Sequence, residues 1–135
     1  MTFIDSGEVD VAFRRLILET ARAVLAERVY PVQLPDNVRM EDGPATVYSL
    51  VSDLPHYVNG NDSGFRRMRY QVDSFGASLR VARQADDAIR AGLSGYRGRM
   101  HGFTLAVWRM NTYPVFYEGE GLFRVVSDYA VGVVC

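Results

Sequence analysis

Several residue types are missing or rare in this chain of 135 residues, and each absence narrows what the protein can be. All fifteen positive charges are arginines, and there is no lysine. The lone cysteine, Cys135, excludes an intramolecular disulfide. The two histidines, His56 and His101, provide no Cys/His cluster of the kind that holds zinc. A metal site would have to be built from scattered carboxylates, and we expect none.

Long hydrophobic runs are also missing. The apolar runs fall far short of the roughly 20 residues that span a bilayer, and residues 1–5 lack the basic and apolar regions of a signal peptide. Fifteen positive charges nearly balance sixteen negative ones, which argues against a general nucleic-acid binder because such proteins need a basic surface. We expect no membrane association and no sequence-specific binding of nucleic acid.

The composition is that of an ordinary globular protein, with 48% hydrophobic and 23% charged residues. The length predicts one domain, residues 1–135. Asp5 followed by Glu8 resembles a capping box, and apolar residues at helical spacing predict a first helix that ends near Arg28. Ser78 is the predicted cap of a second helix, whose solvent side would carry the four-residue pairs Arg83–Asp87 and Asp86–Arg90.

Four strands are predicted, at residues 44–51, 64–75, 102–110 and 122–134, because these runs are rich in β-branched and aromatic residues. Residues 53–63 hold proline, glycine, asparagine and aspartate and predict a long exposed loop or a hairpin tip. Residues 113–117 are interpreted as a short strand or an ordered loop. The resulting order, α-β-β-α-β-β, indicates an α+β fold with two helices packed on a mostly antiparallel sheet.

The strand at residues 64–75 is the most informative stretch. Its even positions from Met68 to Val72 are apolar, which is the two-residue period of a half-buried strand. The odd positions are polar or charged, namely Arg67, Arg69, Gln71 and Asp73. Arginines suit directional contacts to carboxylates on another surface, and no nucleophile lies beside them. The pattern favours an assembly surface over an active site.

Other patterns that invite a catalytic or ligand-binding interpretation are weak. The glycines at 92, 95 and 98 follow a helix, whereas a dinucleotide loop precedes one, and residues 95–98 match only the short GxxG of an RNA-clamping loop. His56 lies near an aspartate and a serine, and Glu118 and Glu120 form a carboxylate pair. Neighbours within a loop are not positioned partners, so we predict no catalytic residues and no enzyme.

Four aromatic residues cluster near the end of the third predicted strand: Trp108, Tyr113, Phe116 and Tyr117. Aromatic residues and arginine are enriched at the centres of protein interfaces, but aromatics are equally common in cores. Both interpretations stay open from the sequence.

Taken in order along the chain, these segments resemble the tail-completion family of long-tailed bacteriophages, which includes tail-terminator and head–tail joining proteins. The strongest match is residues 64–75, centred on Gln71-Val72-Asp73. Residues 28–31, 43–48, 85–93 and 121–128 are similar to family segments in the same order, while residues 113–121 match less clearly.

The resemblance implies a structural virion protein without catalysis or cofactor. Such a protein forms a ring, usually a hexamer, that caps the tail tube, ends tail growth and joins the tail to the head connector. Its implied partners are further copies of itself, the tail tube protein and the connector or neck protein. It would reside in the host cytoplasm before assembly and in the tail or neck region of the virion afterwards, with DNA passing through its bore.

Two hypotheses about contacts follow. Arg67, Arg69 and Asp73, with the four aromatic residues, are predicted to make subunit contacts. The loops at 53–63, with His56, Tyr57 and Asn59, and at 111–121 are predicted to reach the tube or connector. Alternatives are a neck or head-completion adaptor, a small RNA-binding module that uses residues 95–98 and the arginines, and, last, an enzyme built on scattered carboxylates.

Overall fold

The computed structural model describes residues 5–58, 61–113, 116–119 and 121–134, and for residues 55–58, 61–64, 116 and 118 it describes the backbone alone. In this part of the chain there are two α-helices, α1 (Ser6–Leu25) and α2 (Leu79–Leu93), and a 3₁₀ turn at Met40–Asp42. The strands are β1 (Val29–Pro31), β2 (Ala45–Val58), β3 (Asn61–Gly76), β4 (Arg97–Met100), β5 (Phe103–Thr112), β6 (Phe116–Gly119) and β7 (Leu122–Val134).

The strands form one sheet in the order β1-β2-β3-β7-β5-β4, with β6 also paired to β7. Only β1 runs parallel to its neighbour; the other pairs are antiparallel. The α+β class is confirmed, but the expected count of four strands is wrong, because the described chain has seven. The three additional strands, β1, β4 and β6, have three or four residues each, too few to establish a two-residue period in the sequence.

Residues 53–63 were predicted to form a long exposed loop or a hairpin tip, and the described part of this segment belongs to the two strands of a hairpin. Strand β2 continues to Val58 and β3 begins at Asn61, so the proline and glycine signals mark only the far end of the hairpin. Pro55 is tolerated because β1 pairs with β2 only at Thr46–Tyr48. Past that point β2 is an edge strand of the described chain, and edge strands are where proline is most often found in sheets.

Helix α1 begins as predicted, with the Asp5 carboxylate accepting a hydrogen bond from the backbone N–H of Gly7 at 2.9 Å. Glu8 does not complete a capping box, because its carboxylate lies 2.6 Å from Nε2 of His101, in the turn between β4 and β5. The apolar side of the helix packs on the sheet. There the ring of Phe13 stacks on that of Tyr70, with centroids 4.2 Å apart.

Helix α2 also begins at its predicted cap, Ser78, whose hydroxyl accepts from the N–H of Val81. It buries Ala82, Ala85, Ile89 and Leu93. The prediction that Asp86 lies on the solvent side is wrong. Asp86 is only 4% exposed, and its carboxylate accepts a hydrogen bond from the Ser127 hydroxyl at 2.8 Å. The ion pair that forms on the solvent side is Arg90–Asp87, with a distance of 2.6 Å.

The sheet therefore has an inner face, covered by the two helices, and an outer face on the opposite side. Met68, Tyr70 and Val72 of β3 are buried on the inner face beside Tyr129 and Val131 of β7, which confirms the predicted alternation. Because successive residues of a strand leave opposite faces, the intervening residues of β3 lie on the outer face. Full burial of such apolar side chains contributes about 1.5–3 kcal/mol each, so the inner face anchors the fold.

Burial raises the pKa of Asp86 above the ordinary carboxyl value of 3.8, against the opposing effects of the Ser127 hydrogen bond and the charge of Arg90. When the pKa of a carboxyl is raised in the folded state, the folded state binds the proton more tightly than the unfolded state does. The protonated group therefore stabilises the fold at low pH, and this stabilisation is lost as the pH rises from 3.8 through the raised pKa. We expect the unfolding free energy of the wild type to fall, relative to that of Asp86→Asn, as the pH rises above the ordinary carboxyl value of 3.8.

Urea denaturation at several pH values measures this difference. Asp87→Asn is the matched control, because Asp87 lies on the same helix but is largely exposed. Its curve shows how much of the change comes from removing an exposed carboxylate of the same helix. An Asp86→Asn curve parallel to the wild-type curve would contradict the assignment.

Candidate assembly surface

Strand β3, which is rich in arginine, contributes to the outer face of the sheet. At the centre of this face, charged side chains pair with one another within the subunit. Asp128 lies in the mostly apolar strand β7, and although it is charged it is only 1% exposed. Its Oδ2 accepts a hydrogen bond from the Tyr113 hydroxyl at 2.6 Å and a short one from Arg69. Arg69 also donates to the Tyr113 hydroxyl at 3.1 Å. The carboxylate of Asp128 raises the pKa of Arg69 by hydrogen bonding and by charge.

A second charged group lies further along the same strand. Asp73 is nearly buried, and it accepts from the Gln71 amide at 3.0 Å and from Arg124 of β7 at 3.2 Å. Burial raises the pKa of Asp73, while the bond from Gln71 and the charge of Arg124 oppose that rise. Of the three predicted contact residues on β3, Arg69 and Asp73 are thus engaged inside the subunit. Their role between subunits stays a prediction.

Arg67 differs from these neighbours. It is exposed, it lies opposite Leu54 of β2 and Gly132 of β7 in the sheet, and within the described chain it has no ion-pair partner. Exposed apolar side chains lie near it on the outer face. Trp108 is 39% exposed and Leu54 is 62% exposed. An unpaired arginine beside exposed apolar side chains is the composition typical of an interface centre.

Of the four aromatic residues predicted as a cluster, the three with described side chains have different neighbours. Trp108 pairs with Ala130 at the middle of β7, and Tyr113 bonds to Asp128. The Tyr117 ring instead contacts Phe123, with centroids 5.1 Å apart, at the start of β7. Phe116 lies opposite Arg124 in the backbone pairing of β6, and its side chain is not described. The bulge between Arg109 and Asn111 and the short strand β6 separate them.

The predicted loop contacts fall partly beyond what is described. The backbones of His56 and Tyr57 belong to the end of β2, their side chains lie outside the described atoms, and Asn59 lies outside the described residues. Sequence reasoning missed Asp128 and Arg124, which hold the outer face together. The signal available for Asp128 was a lone acid within the apolar run 125–134, since such an acid needs a partner.

Neither metal chemistry nor a membrane span is indicated by the part of the chain that is described. It contains no group of three His, Cys, Asp or Glu residues placed to hold a metal ion. None of its helices is long and apolar enough to cross a membrane. Residues 95 and 96 lie between α2 and β4, and residues 97 and 98 begin β4, whereas the RNA-clamping loop with this motif joins two helices.

Comparisons with known proteins give a shared fold. No protein-family model matches the sequence, and no curated protein matches it. Among solved structures, a chain of the virion of a native gene transfer agent (GTA) particle matches with a TM-score of 0.64 and 16% identity, covering 93% of this chain and 96% of that one. A second solved structure matches with a TM-score of 0.60 and 14% identity, covering 96% of each chain.

We expect Asp128→Ala to destabilise the protein by about 1–3 kcal/mol, because it removes the acceptor shared by Tyr113 and Arg69. Tyr113→Phe removes one of these hydrogen bonds and should cost less, about 0.5–1.5 kcal/mol. Chemical denaturation measures both. The control is Glu41→Gln, which breaks an exposed pair with Arg39 and should change stability by no more than about 1 kcal/mol. Equal effects of Asp128→Ala and Glu41→Gln would refute the role of Asp128.

Proposed function

We propose that this protein is a structural component of a virion. In this proposal it forms a ring, hexameric in the form we favour, that caps the tail tube, ends tail growth and joins the tail to the head connector. The observation that carries the proposal is the likeness of fold to a chain of a gene transfer agent virion over 93% of this chain. The ordered resemblance of the sequence segments to the tail-completion family supports the more specific role.

A physical argument supports a ring. A tail tube grows by repeated addition of like units, and a closed ring can end such growth because it presents different surfaces on its two sides. Ring closure needs two distinct patches on each subunit. The outer face, with Arg67, Trp108 and Leu54, differs in chemistry from the helix side, whose exposed residues are mostly charged. The fold thus offers two unlike surfaces.

The proposed partners are further copies of this chain, the tail tube protein and the connector or neck protein. We propose a role without catalysis or cofactor, in the cytoplasm of the host before assembly and in the tail or neck of the virion afterwards. DNA would pass through the bore, and the near balance of charges would limit trapping of its phosphates. A neck or head-completion adaptor is the second candidate, because the same likeness to a virion chain supports it.

The direct test is deletion of the gene from a particle-producing strain, followed by electron microscopy of the lysate. We expect filled heads beside unattached tails, many of abnormal length. Unattached tails of normal length would favour the adaptor. Intact, normally joined particles would refute both roles.

Complementation of that strain tests the surface. Arg67→Glu should fail to restore joined particles while its unfolding free energy stays within about 0.5 kcal/mol of wild type, because Arg67 is exposed and unpaired in the described chain. Arg80→Glu, the same charge change on the exposed side of α2, is the control and should restore them. Arg69→Glu is less informative, because its loss also disturbs Asp128. Normal particles with Arg67→Glu would remove Arg67 from the proposed interface.

A further inference from the structure

A row of cross-strand partners crosses the outer face from one side of the sheet to the other. Following the pairing from β4 to β2, its members are Arg97, Ala106, Gly132, Arg67 and Leu54. Cross-strand partners share a face of the sheet. The small residues at its centre leave room for larger neighbours to lie over the backbone. A Cβ atom at Gly132 would lie 3.2 Å from the ring of Phe65 and 3.8 Å from that of Trp108.

These neighbours form an apolar strip, which we define as Leu54, Phe65, Trp108 and Val134. Three of its members are substantially exposed. Arg67 and Arg97 lie within the row on either side of Gly132, separated by three strand spacings, or about 14 Å. Both are exposed, and neither has an ion-pair partner in the described chain. Trp108 and Val134 lie on the two strands between these unneutralised cations, and Leu54 lies beyond Arg67. Such a surface fits a segment that carries apolar side chains between two acids.

The chain contains such a segment in the connection between β1 and β2. Residues 36–42 begin and end with Asp36 and Asp42, which are exposed and have no ion-pair partner among the described residues. Between them lie Asn37, the apolar Val38 and Met40, and the ion pair of Arg39 with Glu41 at 3.1 Å, whose charges neutralise each other. Six residue steps span at most about 20 Å when extended, and the 3₁₀ turn at Met40–Asp42 shortens this. The spacing of the two arginines, about 14 Å, therefore lies within the reach of the two acids.

The segment cannot reach the strip of its own subunit. It ends three residues before β2 begins at Ala45, whereas the strip starts at Leu54, nine residues along the same strand. At about 3.3 Å per residue, Ala45 and Leu54 are about 30 Å apart. Arg39, Met40 and Glu41 lie at the Ala45 end of the sheet, where they line a hollow with Ala77 and Gly121. Any contact between them has to join two molecules.

We propose that the apolar strip receives residues 36–42 of a second copy of this chain, with Arg67 and Arg97 pairing with Asp36 and Asp42. The two surfaces differ, so the contact is head-to-tail and can close into a ring. This proposal rests on the ring-forming function proposed above and identifies its subunit contact.

Charge exchange tests the contact. Arg67→Glu with Arg97→Glu, or Asp36→Arg with Asp42→Arg, should weaken self-association of the purified full chain by on the order of tenfold or more, because like charges then face each other. The variant with all four changes should recover wild-type association to within about threefold. Arg80→Glu with Arg83→Glu is the control with the same change in net charge. Native mass spectrometry and light scattering over a concentration series report the assembly state.

Cross-linking gives a second measurement that also captures weak association. In a Cys135→Ser background, Val38→Cys with Val134→Cys should give a ladder of covalent oligomers under mild oxidation, in purified protein or in assembled particles, and neither single variant should. Covalent dimers from Val134→Cys alone would show that the strip pairs with itself and would overturn the proposal. So would the absence of a ladder in both preparations, or failure of the fourfold variant to recover association.

These outcomes are separable from failure of the proposed function. Intact particles from the deletion strain, together with a ladder in purified protein, would refute the virion role and leave the subunit contact standing. Unattached tails from the deletion strain, together with the absence of a ladder, would support the virion role and refute the subunit contact.

Discussion

The pairing of β3 with β7, from Phe65–Gly76 against Phe123–Val134, is the interaction on which the rest of this structure depends. On the inner face it sets Tyr70 beside Tyr129 under the helices. On the outer face the same register brings Arg69 to Asp128, which lies 59 positions away in the chain. One antiparallel register therefore fixes both the apolar core and the charge pairing opposite it, since a slip of one residue would exchange the two faces.

The sequence predicted what depends on local patterns. Nearby residues decide where the helices start, at Asp5 and Ser78, and they decide the alternation around Tyr70. These features could therefore be predicted without knowing the fold. Short strands and side-chain partners could not. Glu8 bonds to His101 instead of its own helix, and Asp86 is buried because Ser127 of a distant strand meets it. Such outcomes are decided by tertiary neighbours, which a helical or strand period does not encode.

The candidate surface was predictable to a similar degree. The polar face of β3 was visible in the sequence, but not which of its charges would be neutralised inside the subunit. That depends on Asp128 and Arg124, both on β7. Because these two residues pair with Arg69 and Asp73, those two side chains hold the sheet together, while Arg67 is available for contacts. The aromatic residues were dispersed by a bulge and a short strand, features that have weak sequence signals.

The position of Trp108 has a practical consequence. It is the only tryptophan of the chain, and it lies partly exposed on the outer face beside Gly132. Its intrinsic fluorescence therefore reports on this one region, without a contribution from the core. Covering the outer face would move the indole from water to an apolar environment and shift its emission to shorter wavelength. The unlabelled protein thus carries its own optical probe of whatever docks there.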